Sequence, residues 1–111
     1  MGYRSDVNIS VNNQYVKDIA KCEIFNYAGA TSREHGDNYI FELSSVKFYE
    51  EYTDVDELLS TCREINKLEE LIKQPLPIAI LRVGEEQGDT EDYFNNAWEH
   101  GMEVRTEIVY V

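Results

Sequence analysis

The sequence predicts an α+β fold, an α/β two-layer sandwich. It would have a mixed four-stranded sheet, elements in the order β-α-β-α-β-α-β, and helices mainly on one face. Three observations carry this. Tyr3, Ser5, Val7, Ile9 and Val11 alternate with Gly2, Arg4, Asp6, Asn8 and Ser10, the period of a strand with one face in the core and one in water. Val55, Leu58, Leu59, Cys62, Ile65, Leu68 and Ile72 recur at helical spacing. Ile78-Ala79-Ile80-Leu81 is the most continuously apolar run and reads as a central strand. With 111 residues the chain can build one core, so residues 1–111 form a single domain.

The elements follow in chain order. After the first strand, Asn12-Asn13 can cap a helix over 14–28, with Tyr15, Val16, Ile19 and Ala20 on its inner face and Gly29 as its stop. Residues 31–38 are polar, contain Gly36, and read as an exposed loop. Residues 38–52 are rich in aromatic and β-branched side chains and read as a strand. Tyr39, Phe41 and Leu43 share one parity, whereas Val46 and Phe48 share the other, so the phase slips at Ser44-Ser45. A β-bulge there would keep both groups on the core face. Two short strands would also fit, but no Gly, Pro, Asn or Asp is present to make a tight turn.

Asp54 with Glu57 resembles a capping box at the start of the clearest helix, which Pro75 and Pro77 prevent from continuing. The strand 78–83 follows. Asp89 and Asp92 can cap a short helix over 90–98 that buries Tyr93, Phe94, Ala97 and Trp98. After Gly101, Met102, Val104, Thr106, Ile108 and Tyr110 alternate with polar residues as a last strand with one wet face.

The net charge is −12. It opposes direct binding of nucleic acid, a phosphorylated metabolite or an anionic membrane and favours a partner with a basic surface. Residues 1–30 and 61–74 balance; the excess condenses into Glu50, Glu51, Asp54, Asp56 and Glu57 and into Glu85, Glu86, Asp89, Glu91 and Asp92. If the strands at 39–52 and 78–83 are parallel neighbours joined by a crossover helix, both clusters leave the sheet at the same edge and form one acidic rim. If the sheet is ferredoxin-like, they could separate.

No constellation announces chemistry. There is no G-x-S-x-G, H-E-x-x-H, Gly-rich phosphate loop or Cys-His pattern, so no catalytic residue, cofactor or metal is assigned and the chain is read as a non-enzyme. Glu85-Glu86-Gln87-Gly88-Asp89 does not match a calcium loop. Cys22 and Cys62 lack metal spacing and read as reduced core thiols. His35 and His100 read as surface residues, Phe94 and Trp98 as core, and Tyr52 as a candidate interface anchor. No apolar run has the roughly 20 residues of a membrane helix.

Three pieces carry a resemblance: the opening Met1-Gly2-Tyr3-Arg4-Ser5-Asp6-Val7, Val46-Lys47-Phe48-Tyr49 followed by Tyr52-x-Asp54-Val55, and Arg82-Val83-Gly84-Glu85-Glu86-x-x-Asp89-x-Glu91-Asp92. The chain resembles a set of small proteins encoded by bacteriophages and prophages. Phe48 stands where that set leads one to expect Trp, and Gln87-Gly88 interrupts a segment that is more acidic in other members. The resemblance implies an accessory protein of the host cytoplasm that inhibits a host or defence-system protein, in the manner of anti-CRISPR and other counter-defence proteins.

With the charge map, the expected partner-binding residues are Glu50, Glu51, Tyr52, Asp54, Glu85, Glu86, Asp89, Glu91 and Asp92, with mimicry of nucleic acid as one mode. The alternatives are an immunity protein that neutralises a basic nuclease toxin, and a pocket protein that sequesters a nucleotide signal. The latter requires Arg4, Arg33, Arg82 or Arg105 to line a local pocket. The last strand could also pair edge to edge in a homodimer.

Overall fold

The computed structural model describes residues 3–26, 30–69, 76–86, 88–104 and 108–110. Met1, Gly2, Gly29, Ile72, Pro75, Gln87, Arg105 and Thr106, which enter the sequence reading, lie outside the described residues.

The first strand, β1 (Ser5–Asn12), forms where the alternation predicts it and takes the middle of the sheet. Val7, Ile9 and Val11 are fully buried on one face. The main sheet has five strands, adding β2 (Thr31–His35), β3 (Asn38–Val46), β4 (Ile78–Gly84) and β5 (Thr90–Asp92). Their order is β2-β3-β1-β4-β5 and every neighbouring pair is antiparallel. This corrects the expected mixed four-stranded sheet of β-α-β-α-β-α-β order. The described residues contain two α-helices, α1 (Val16–Ala20) and α2 (Thr53–Glu69).

Each departure has a local cause. β2 hides from a hydrophobic pattern because its residues up to Glu34 are exposed; main-chain pairing with β3 and the turn at Gly36, where φ is +62°, hold it. The helix expected over 14–28 is a five-residue α-helix between 3-10 turns at Asn13–Tyr15 and Glu23–Asn26. The helix expected over 90–98 is replaced by β5, a turn, and the 3-10 turn Trp98–His100. Asp92 does accept the Asn96 and Ala97 amides at 3.1 Å each, as a cap would. Asn95, however, sits at φ +52°, and a residue in the left-handed region interrupts a right-handed helix.

The slip at Ser44-Ser45 is real. Ser5 pairs with Val46 and Val7 with Leu43, so the β3 side holds one residue more than β1 across that interval. Ser45 takes φ +55°; its amide donates to Asp6 Oδ1 and its carbonyl accepts from Arg4 Nη1, both at 2.9 Å. Phe41 and Leu43 before the bulge and Phe48 beyond the strand all reach the same core. The strand stops at Val46, short of the expected Tyr52.

Helix α2 lies over the face of Val7, Ile9 and Val11. Val55, Leu58, Leu59, Cys62 and Ile65 pack against β1, β3 and β4, while Leu68 is 72% exposed and outside the stripe. The capping box is not formed as read: the helix begins at Thr53, Asp54 Oδ1 accepts from Val55 N at 2.8 Å, and Glu57 Oε1 reaches across to Glu23 N at 2.9 Å. Near the other end of α2, Asn66 brackets Ile78, donating to its carbonyl and accepting from its amide at 3.0 Å each.

The opposite face of β1 is covered over Asn8 and Ser10, while Asp6 stays exposed. The last strand is a hairpin, β6 (Met102–Val104) with β7 (Ile108–Tyr110), forming a separate two-stranded sheet. Its Met102 joins Ala97 in covering Ala79 and Leu81 of β4. Asn8 and Ser10 are buried there, Asn8 donating to the Tyr110 hydroxyl at 2.6 Å. These polar residues of β1 are thus hydrogen-bonding partners of a third layer. Among the described residues, no buried side-chain nitrogen or oxygen lacks a partner, as burial of polar groups requires.

Candidate functional site

β3 and β4 are both antiparallel to β1 and flank it, so they run in the same direction. They are not the parallel neighbours the sequence suggested, yet they finish at the same end of the sheet, where β1 begins. The residues that follow each strand, and Tyr3-Arg4 before β1, meet there. Two clefts result.

The first cleft, of about 300 Å3, is lined by Glu50 and Glu51 from one acidic segment and by Asp89 and Glu91 from the other. Phe48, Tyr49, Tyr93 and Tyr3 supply aromatic walls. Arg82 stands at its centre. It lies opposite Val7, on the helix-facing side of β4 in phase with Ile78 and Ile80, and its side chain is only 13% exposed. Its Nη2 donates to Asp89 Oδ1 at 2.9 Å, its Nη1 donates to Ser5 Oγ at 2.9 Å, and its Nε lies 3.6 Å from Glu91 Oε1. The Tyr3 hydroxyl donates to Asp89 Oδ2 at 2.5 Å and accepts from Glu86 N at 2.8 Å. Tyr3 N in turn donates to the Tyr49 hydroxyl at 2.6 Å. The residues before β1 therefore strap the two acidic segments together.

The charge states follow from these contacts. Hydrogen bonds from Arg82, then from Tyr3, hold the Asp89 carboxyl below its ordinary range. The Asp89 bond raises the already high Arg82 pKa. Burial, then the Glu91 charge, pushes the Tyr93 hydroxyl up. Gly84 completes the arrangement: its amide donates to Asp89 O at 2.8 Å, and a Cβ there would collide with the Asp89 carboxylate and the Tyr3 ring.

The second cleft, of about 430 Å3, lies on the other side of the strap. It is lined by Arg4, Lys47, Ser44, Ser45, Tyr52 and Asp54 over Ile24 and Val46.

The nine expected binding residues therefore divide. Glu50, Glu51, Asp89 and Glu91 come together in the first cleft. Tyr52, 42% exposed, and Asp54 line the second. Glu85 Oε1 accepts from Arg4 N at 2.6 Å, and Asp92 is occupied by the 96–97 amides. Glu50 lies 3.7 Å from Arg63, both more than half exposed, a pair of small energetic weight. Glu51 and Glu86 form no ion pair among the described residues. The sequence reading missed the organising roles of Arg82 and Tyr3. The available clue was that Arg82 continues the even-numbered core phase of Ile78 and Ile80, where a charge requires a partner.

Two other expectations change. Trp98 is 68% exposed rather than core. His100 is buried: its Nε2 lies 2.8 Å from Leu76 O and its Nδ1 lies 2.7 Å from Ser10 Oγ. A carbonyl only accepts, so Nε2 carries the proton and Nδ1 accepts from the serine. Burial lowers its pKa. The pair resembles a nucleophile and its base, but Ser10 is fully buried and offers no atom to a substrate. Cys22 and Cys62 are free, buried thiols whose pKa values burial raises, the opposite of activation. Among the described residues, no three His, Cys, Asp or Glu side chains gather to hold a metal, and no helix is long and apolar enough to cross a membrane.

No family model, curated protein or solved structure matches the chain.

Proposed function

We propose that the protein is a small phage-encoded accessory protein that binds and inhibits a host or defence-system protein in the host cytoplasm. It does so by laying the acidic end of its sheet against a basic, nucleic-acid-binding surface. The observation that carries this reading is the shared direction of β3 and β4, which brings Glu50, Glu51, Asp89 and Glu91 around one cleft. Arg82 neutralises part of that charge and fixes the second segment in place, while Glu51 and Glu86 stand without an ion pair among the described residues. In a chain of net charge −12 such a surface steers a cationic partner and repels nucleic acid itself.

The test is capture from host lysate at low and high salt, with the natural chain and with a Glu51→Lys/Glu86→Lys variant. The expected result is a nucleic-acid-binding protein that is retained at low salt, released by salt or by competing DNA, and lost with the variant. Capture indifferent to both salt and charge reversal would sink the reading.

A further inference from the structure

We infer that the second cleft, between the β3 bulge and the start of α2, is a binding site for a nucleoside monophosphate. Its volume of about 430 Å3 lies within the roughly 300–1,000 Å3 of small-molecule sites. Its charge runs against that of the molecule. The chain has 10 Lys and Arg against 22 Asp and Glu, yet the cleft is lined by Arg4 and Lys47 against one lining carboxylate, Asp54, while the nearby Asp6 and Glu85 accept from the Ser45 and Arg4 amides.

Lys47 forms no ion pair among the described residues. Arg4 is tied through Nη1 to Ser45 O at 2.9 Å, which holds its planar group at the cleft. A fixed guanidinium beside a lysine is a phosphate-binding pair, and the Ser44 and Ser45 hydroxyls line the same wall.

The aromatic part of the ligand is specified separately. Tyr52 is 42% exposed and, unlike the other exposed large apolar side chains, Leu68 and Trp98, lines this cleft. Its ring meets Tyr49 edge on, with centroids 5.3 Å apart and planes at 89°, a contact that fixes its orientation. An oriented, exposed tyrosine at the mouth of a cationic cleft is a stacking surface for a base. A single phosphate fits the two cations, and each further phosphate would add repulsion from the surrounding carboxylates.

The site is separate from the acidic cleft and is tested separately. Calorimetric titration of the purified protein with AMP is compared with adenosine and with inorganic phosphate. AMP should bind more tightly than either. Tyr52→Leu and Lys47→Glu should each weaken it about tenfold or more, Tyr52→Phe should retain it, and Glu51→Lys should not weaken it. Melting curves of the same variants establish that they are folded. The inference is overturned if no common nucleoside monophosphate binds at millimolar concentration. It is also overturned if phosphate alone binds as well as AMP, or if folded Tyr52→Leu and Lys47→Glu variants both bind AMP like the natural chain.

Discussion

Between residues 50 and 57 the carboxylates stand on an exposed turn and the first turn of α2, and their contacts include Glu50 with Arg63 at 3.7 Å, Asp54 with the adjacent Val55 amide at 2.8 Å and Glu57 with the Glu23 amide at 2.9 Å. In the segment from Glu85 to Asp92, Glu85, Asp89 and Asp92 each accept from a main-chain amide or from the largely enclosed Arg82 guanidinium. The two stretches look alike as charge. One leaves its carboxylates mainly to solvent, and the other is built from them. What separates them is the supply of donors: Arg82 and the Tyr3 hydroxyl face the second segment. Acidic density therefore locates a surface, but the donors decide which carboxylates remain to meet a partner.

The sharpest way to break this contrast is Gly84→Ala. The added Cβ needs the space of the Asp89 carboxylate and the Tyr3 ring. The cost of such overpacking is about 1–3 kcal/mol, a fall of roughly 5–15 °C in melting temperature for a domain of this size. An unchanged calorimetric melt would mean that the inward-turned segment does not hold the strap.

Acid titration separates the segments next. The folded pKa of Asp89 lies below its ordinary 3.8, so the stability it contributes is complete above about pH 4 and is lost as pH falls through the lowered value. Asp89→Asn removes that contribution at neutral pH. Urea unfolding should show the gap between natural chain and variant closing below about pH 4; a gap that stays constant in acid would place its origin elsewhere.

The smallest effect belongs to the outward carboxylates. Glu51→Lys with Glu86→Lys should change stability by no more than about 0.5 kcal/mol, because neither side chain forms an ion pair among the described residues. A loss comparable to that of Gly84→Ala in the same denaturation assay would erase the distinction.

The strongly periodic elements were legible from sequence: β1 from its alternation, α2 from its stripe, β4 from its apolar run, and the bulge from a change of parity at Ser44-Ser45. β2 was not, because an exposed edge strand held by main-chain bonds needs no hydrophobic pattern. The wet face of β1 was misread because a polar side chain looks the same whether it meets water or the Tyr110 hydroxyl and the His100 ring. The helix over 90–98 failed at one backbone angle, that of Asn95, which capping residues and apolar spacing do not report. At the site, the meeting of the two acidic segments followed from chain direction, but the opposite outcome for Tyr52 and Asp54 depended on which side of the Tyr3-Arg4 strap each fell.

The central place of β1 also sets the order in which the molecule can be assembled. Ile9 pairs with Phe41 on one side and with Ile80 on the other. β1 thus has partners that are made after it, and the sheet cannot close around it until β4 has emerged. Contacts of such wide sequence separation place a chain in the slower range of single-domain folding. Val7, Ile9 and Val11 likewise wait for α2 to be made before a helix can cover them.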